Sequence, residues 1–295
     1  MRLYSVPIVF RKVGSKVTRR SAQKQAQVRD HFSSTSTWWD DVHNDATLTG
    51  TVIQQRSATA LQWSDELTLT QGARVLEIGS GAGWTTTELA KRGYEVVSID
   101  TSKEMVDLTR TRAVESGVGD QVTAALGDAQ SLGFKDHSFG LVVALGVMSY
   151  FESVDQAMSE MSRVLEPGGH LLITSLNPLS LMHLIEPRRN LLFHPLRRML
   201  VGPLQAANLY RTKLPSIIPK RYVAYQVNRY LRHSGLELVR SKTLGFGPFT
   251  FLGRKMVSDQ KGYRLHARFQ ALADRRAPIL RGAGQFYIAL ARKPG

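Results

Sequence analysis

The sequence predicts an α/β fold, a doubly wound and mostly parallel sheet covered by helices on both faces. Three observations predict it. Apolar runs ending in an acid or a glycine turn recur between residues 74 and 176, and helical patterns separate them. Strand and helix alternate five times at that spacing, which calls for parallel strands joined by crossover helices. The composition, 42% hydrophobic and 21% charged over 295 residues, is that of an ordinary globular chain able to bury a large core.

The elements follow in order. RVLEIG is a buried strand that runs into the turn Gly79-Ser80-Gly81-Ala82-Gly83, and TTTELAKRG reads as a short helix closed by Gly93. EVVSID is a second apolar strand, ending in Asp100. Thr101 and Glu104 stand at capping-box spacing and open a helix that runs to Gly117. QVTAALGD is the third strand, with Asp128 after it, and SFGLVVALG is the fourth, apolar enough to be covered on both faces. Ser153 and Gln156 form a second capping box. Val154, Ala157, Met158, Met161 and Leu165 then fall at offsets 0, 3, 4, 7 and 11, one apolar helix face. Pro167-Gly168-Gly169 is expected to stop that helix before the fifth strand, HLLITSL.

Residues 177–232 are proline-rich, show no sheet period and read as an insertion. Within them YQVNRYLRHSG reads as the start of a helix ending at Gly235, and LELVRSKTL and GQFYIALARK bring the strands to seven. The expected organisation is a basic extension over 1–29, N-terminal lid helices over 30–70 and a nucleotide-binding core over 71–176. A basic cap over 177–232 and closing strands over 233–295 complete it.

Charge is distributed unevenly. Residues 1–29 hold eight Lys or Arg and no acid, residues 30–186 hold nine against 21 acids, and residues 187–295 hold 22 against three. A basic head and a basic C-terminal third thus flank an acidic middle. Cysteine is absent, which excludes disulfides, thiolate catalysis and cysteine-ligated zinc and suits a reducing compartment. No motif for a metal is found. The head lacks the long apolar core of a secretory signal and reads as a flexible extension or a targeting segment. The expected location is the cytoplasm.

The turn after the first strand carries the chemistry. Its glycines are Gly79, Gly81 and Gly83, and Trp84 fills the position where a dinucleotide site needs a small residue. No Gly-Lys-Ser/Thr follows, so the phosphate loop of nucleoside triphosphatases is also excluded. What remains is E-x-G-x-G-x-G with an acid 21 residues past Gly79, placed to accept from a pair of ribose hydroxyls.

VLEIGSGAG, VVSID, GDAQSLGFKDHSFGLVVAL and EMSRVLEPGGHLLIT together resemble the class I S-adenosylmethionine-dependent methyltransferases, in particular the small-molecule subgroup of quinone biosynthesis. The resemblance covers residues 70–176 and implies a Rossmann-like sheet with S-adenosyl-L-methionine as cofactor. It implies that Glu77, Gly79, Ser80, Gly81 and Gly83 hold the methionine part and that Asp100 holds the ribose. Thr101 and Met105 lie against the adenine. Asp128 accepts from the adenine amino group, the Ala129 N–H faces the ring, and Leu145 sits near the transferred methyl. The family shows Asp where this chain has Gly140.

No residue stands in a motif that marks a general base; His31, His183 and His194 are candidates by type alone. Trp38 and Trp39 read as packing anchors. From Pro187 to Arg232 ten Lys or Arg and no acid are interleaved with apolar residues. That pattern suits a cap over a small-molecule or lipid-like acceptor, or peripheral contact with an anionic membrane. The alternative is an RNA or protein methyltransferase that grips its substrate through the basic third.

Overall fold

The structure is a computed structural model that describes residues 19–186, 217–252 and 254–295. Three helices, α1 (Arg19–Ser34), α2 (Ser36–Asp41) and α3 (Leu48–Asp65), lead into alternating strands and helices. These are β1 (Arg74–Ile78), α4 (Trp84–Lys91), β2 (Glu95–Asp100), α5 (Lys103–Glu115) and β3 (Val122–Leu126). Then come β4 (Phe139–Ala144), α6 (Val154–Val164), β5 (Leu165–Leu176) and the short α7 (Leu181–Ile185). Among the described residues the C-terminal part holds α8 (Ala224–His233), β6 (Glu237–Leu244), a hairpin of β7 (Thr250–Phe251) and β8 (Arg254–Lys255), α9 (Asp259–Asp274) and β9 (Phe286–Arg292).

Seven strands form one sheet in the order β3-β2-β1-β4-β5-β9-β6. The first five run parallel, and β9 enters antiparallel between β5 and β6. This is the expected Rossmann-like fold. Alternation along the strands sends side chains to two cores. Leu76, Val142, Leu171 and Ala289 meet Ala157, Met158 and Met161 of α6 and Val227 and Leu231 of α8 on one face. Val75, Leu141, Val143 and Leu290 meet Val52, Ala60 and Trp63 of α3 and Leu89 of α4 on the other. Every residue of β4 is buried, as its unbroken apolar run requires.

Two local expectations are corrected. The cap of α5 is Ser102, whose side chain accepts from the Met105 N–H, rather than Thr101. Thr101 instead lines the cavity described below. The helix through Met161 ends at Val164, and Leu165 already pairs with Phe139 as the first residue of β5. Pro167-Gly168-Gly169 therefore lies inside the strand, at a register shift between Phe139 and Leu141. A bulge absorbs the residues that cannot continue the ladder. The Ser153 cap and the glycines after α4, α5 and α8 stand where expected, with Gly93, Gly117 and Gly235 all at positive φ. The basic stretch 187–216, including His194, and residues 1–18 of the head lie outside the described residues.

Gly83 is the N-cap of α4 at φ 79°. A Cβ built there stands 2.8 Å from the Thr109 Cα of α5, a backbone atom that cannot swing aside. Close approach of α4 to α5 thus depends on glycine. Gly83→Ala is expected to lower stability by about 2–4 kcal/mol, from left-handed strain plus overpacking. Urea unfolding measures it; an unchanged midpoint contradicts this packing role.

Candidate active site

The carboxyl ends of β1, β2, β3 and β4 surround a cavity of about 420 Å³, in the crevice where the strand order reverses between β1 and β4. Open α/β sheets bind ligands there because loops leave neighbouring strands in opposite directions and part. Glu77, Gly79, Ser80, Gly81, Asp100, Thr101, Met105, Asp128, Ala129 and Leu145 all line it. Gly83 does not; it sits behind the turn, against α5.

The turn is held from below. The Gly79 N–H donates to the Ile99 carbonyl at 2.7 Å, and Thr109 Oγ1 donates to the Gly81 carbonyl at 3.0 Å. Gly81 lies at φ 53°, and nothing stands within 4 Å of the place its Cβ would take. The open side of the turn therefore offers bare backbone to a ligand. Asp100 Oδ2 accepts from the Gly81 N–H at 3.1 Å and Oδ1 from the Ser102 N–H at 2.9 Å. A carboxylate has about four acceptor sites, so acceptor capacity remains beyond these backbone bonds. Burial raises the Asp100 carboxyl against the pull of these hydrogen bonds.

Glu77, 3% exposed, is a different kind of acid. Burial pushes its carboxyl up to about 8, although Thr86 Oγ1 donates to it. A carboxyl raised on folding contributes stability that is present below its ordinary value of 4.5 and lost as pH climbs through about 8. Glu77→Gln keeps an acceptor for Thr86 and does not ionise. Its melting temperature relative to wild type is expected to rise steadily across that pH window. Parallel melting curves at all pH values rule the burial cost out.

Helices α1 and α2 roof the cavity. Gln25 Nε2 donates to Asp128 Oδ2 at 2.9 Å, so α1 reaches directly onto one of the expected ligand-binding acids. Asp128 Oδ1 accepts from the Gln130 N–H at 2.9 Å. Ser33 Oγ donates to Glu104 at 2.5 Å and Ser102 Oγ at 2.8 Å, and these bonds, Ser33 first, hold the Glu104 carboxyl down at about 2. Phe32 meets Tyr150 edge-on at 4.9 Å, closing an aromatic end of the cavity. Trp39 also lines the cavity, whereas Trp38 is half-exposed and packs edge-on against it at 4.7 Å.

Sequence reasoning missed two of the lining residues with the most unusual environments. Arg56 projects from α3, is 7% exposed, and has no hydrogen-bond partner for its Nε among the described residues. Its guanidinium lies over the Phe286 ring at 5.2 Å and fills the space beside Gly146, where a Cβ would come within 2.4 Å of Nη1. Burial lowers it to about 10, while Tyr150 and Glu77 act to raise it. The available signal was an arginine inside an apolar helix pattern. His43 stacks on Trp84 at 5.3 Å, and burial, then Arg56 and Arg112, push it down to about 4. It is a neutral imidazole at the cavity wall. Nothing in its sequence context distinguishes it.

Among the described residues the other histidine candidates do not join this wall. His31 and His183 lie outside the cavity wall, and His183 bonds to the Ser180 hydroxyl at the cap of α7. The Arg112 guanidinium lies 3.7 Å from the centre of the Trp84 ring, and the indole N–H donates to the Asp40 carbonyl at 3.3 Å. Trp84 is a post on which the roof rests.

Residues 76–173, which carry this turn and these acids, match the family model described as Methyltransferase domain. They are a class I, S-adenosylmethionine-dependent methyltransferase domain. The chain is 25% identical over 245 residues to the ubiquinone biosynthesis O-methyltransferase of Azoarcus sp., covering 82% of this chain and 96% of that one. It is 38% identical over 111 residues to the biotin biosynthesis bifunctional protein of Cellvibrio japonicus, covering 38% of this chain and 21% of that protein. The matched part spans less than half the length of several such curated relatives. The magnesium protoporphyrin IX methyltransferase of Synechocystis, solved with bound SAH, shares the fold with a TM-score of 0.60 and 18% identity over 92% of this chain and 99% of that one.

Proposed function

We propose that the chain transfers the methyl group of S-adenosylmethionine to a small, amphipathic acceptor that carries negative charge. The observation that supports this reading most is the division of the cavity. One end is lined by Glu77, Asp100 and Asp128 around bare glycine backbone; the other is apolar and aromatic, with Phe32, Trp39, Tyr150 and Phe151. The residues fit the cofactor. Asp100 has free lone pairs for the ribose hydroxyls, and Asp128 and the Ala129 N–H suit the adenine edge, with Thr101 and Met105 beside the ring. Arg56 and Glu77 both line the wall beside the turn, a buried guanidinium suited to an amino acid's carboxylate and a buried carboxyl suited to its ammonium. Leu145 and Gly146 leave β4 where the two ends of the cavity meet.

When bound, the sulfonium supplies an already activated methyl group. The chain's own task is then placement, which can account for ~7–11 kcal/mol of a barrier. The roof excludes water, and the aromatic end orients the acceptor. Arg29 at the wall favours an acceptor bearing a carboxylate, phenolate or similar anion.

Calorimetry with S-adenosylmethionine, followed by transfer of a labelled methyl group into separated lipid, quinone, small-metabolite, RNA and protein fractions, tests the reading. Label in an acidic, organic-soluble product is expected; label only in RNA or protein overturns it.

A further inference from the structure

The C-terminal helix α9 carries a feature the cavity does not use. Its buried residues, Gly262, His266, Gln270 and Ala273, fall on one side. On the opposite side Lys261, Arg264, Arg268 and Arg275 fall within about 60° of one another at 100° per residue. All four are exposed, as are Arg276 and Arg281 just beyond the helix. None of these six forms an ion pair among the described residues, because the two acids of α9 are engaged elsewhere: Asp259 by Lys255 at 2.7 Å and Asp274 by Lys242 at 3.5 Å.

Large apolar side chains stand in solvent at both ends of this stripe. Phe251, Leu252 and Met256 in and beside the β7–β8 hairpin are 47%, 60% and 57% exposed, and Ile279 past the C-terminus of α9 is 85% exposed. We propose that the stripe of α9 and the apolar tips flanking it dock onto the surface of an anionic lipid bilayer. Cations along a helix neutralise headgroups while short apolar tips enter the boundary beneath them. Single-stranded nucleic acid fits this surface less well, since it needs a succession of exposed rings for stacking, and Phe251 is a single ring at one end of the stripe. The aromatics of α9 face inward: Phe269 packs on Phe246 and Phe249, and the Tyr263 hydroxyl donates to the Ala46 carbonyl. That last bond also links the surface to the turn between α2 and α3, which adjoins the roof of the cavity. A docked bilayer lies next to the elements that admit an amphipathic acceptor.

Co-sedimentation of the full chain with vesicles tests this. Vesicles of phosphatidylcholine with about 30% phosphatidylglycerol are expected to bind the protein in ~0.1 M salt, and phosphatidylcholine alone is not. Arg264→Ala/Arg268→Ala is expected to weaken binding about twenty-five-fold, near fivefold per cation removed. Arg275→Ala/Arg276→Ala is an independent pair with the same expectation, and Phe251→Ser/Leu252→Ser is expected to abolish the binding that survives high salt. Equal binding to neutral vesicles overturns the proposal. So does unchanged affinity in both arginine pairs, or a preference for single-stranded RNA over anionic vesicles. Unaltered S-adenosylmethionine affinity in the variants shows that they fold. The vesicle assay needs no cofactor, so its failure is distinct from failure of the methyl-transfer reading.

Discussion

Asp100→Ala is expected to weaken binding of S-adenosylmethionine by about a hundredfold or more while leaving the chain folded. The carboxylate sits at the end of β2, facing the cavity, and beyond its backbone bonds retains acceptor capacity for the two neighbouring hydroxyls of a ribose. A hydrogen bond to a charged acceptor contributes about 1.5–3 kcal/mol, and each 1.4 kcal/mol is tenfold in affinity. Two such bonds give roughly 3–6 kcal/mol. The same side chain accepts from the Gly81 N–H, so its loss also loosens the turn proposed to hold the methionine part. Asp100→Asn retains one acceptor oxygen and is expected to fall between the two. Isothermal calorimetry reads all three proteins; wild-type affinity in Asp100→Ala removes the ribose assignment.

Arg56→Met is the second large effect, and it separates binding from packing. A buried guanidinium with an unsatisfied Nε is costly to the empty protein, and replacing it by an apolar chain of similar length is often neutral or stabilising. The melting temperature is therefore expected to stay or rise. Affinity for S-adenosylmethionine is expected to drop about ten- to a hundredfold, the equivalent of one charge-assisted pair with its carboxylate. Retained affinity together with a lower melting temperature identifies Arg56 instead as a structural partner of the Phe286 ring.

Glu77 joins these two residues electrostatically. Asp100 and burial raise it, Arg56 and Thr86 lower it, and burial dominates. The pH window of the Glu77→Gln comparison thus reports the cost of keeping that carboxyl dry before any ligand arrives.

The parallel strands were legible because each is an apolar run bounded by a turn signal, and their side-chain alternation requires no knowledge of partners. The turn at Gly79–Gly83 and the acids Asp100 and Asp128 were legible for a related reason. A strand end followed by a helix start places them on one edge of any doubly wound sheet. The family resemblance implies a ligand role for Gly83 along with the rest of the turn, yet its distance to Thr109 shows that it serves the approach of α4 to α5. Leu165 matched the helix face because offset 11 fits a helix; pairing with Phe139 took it into β5.

By itself, the amino-acid order determined the layered α/β class, the position of the glycine turn and the acids that line it, since these depend on contacts between near neighbours along the chain. Only the tertiary structure brought Arg56, His43 and Gln25 to the same cavity and turned the cationic face of α9 to solvent, away from the acids that could pair with it. Those placements depend on how α1, α2, α3 and α9 pack against distant elements, and packing partners across a hundred residues leave no local period to read.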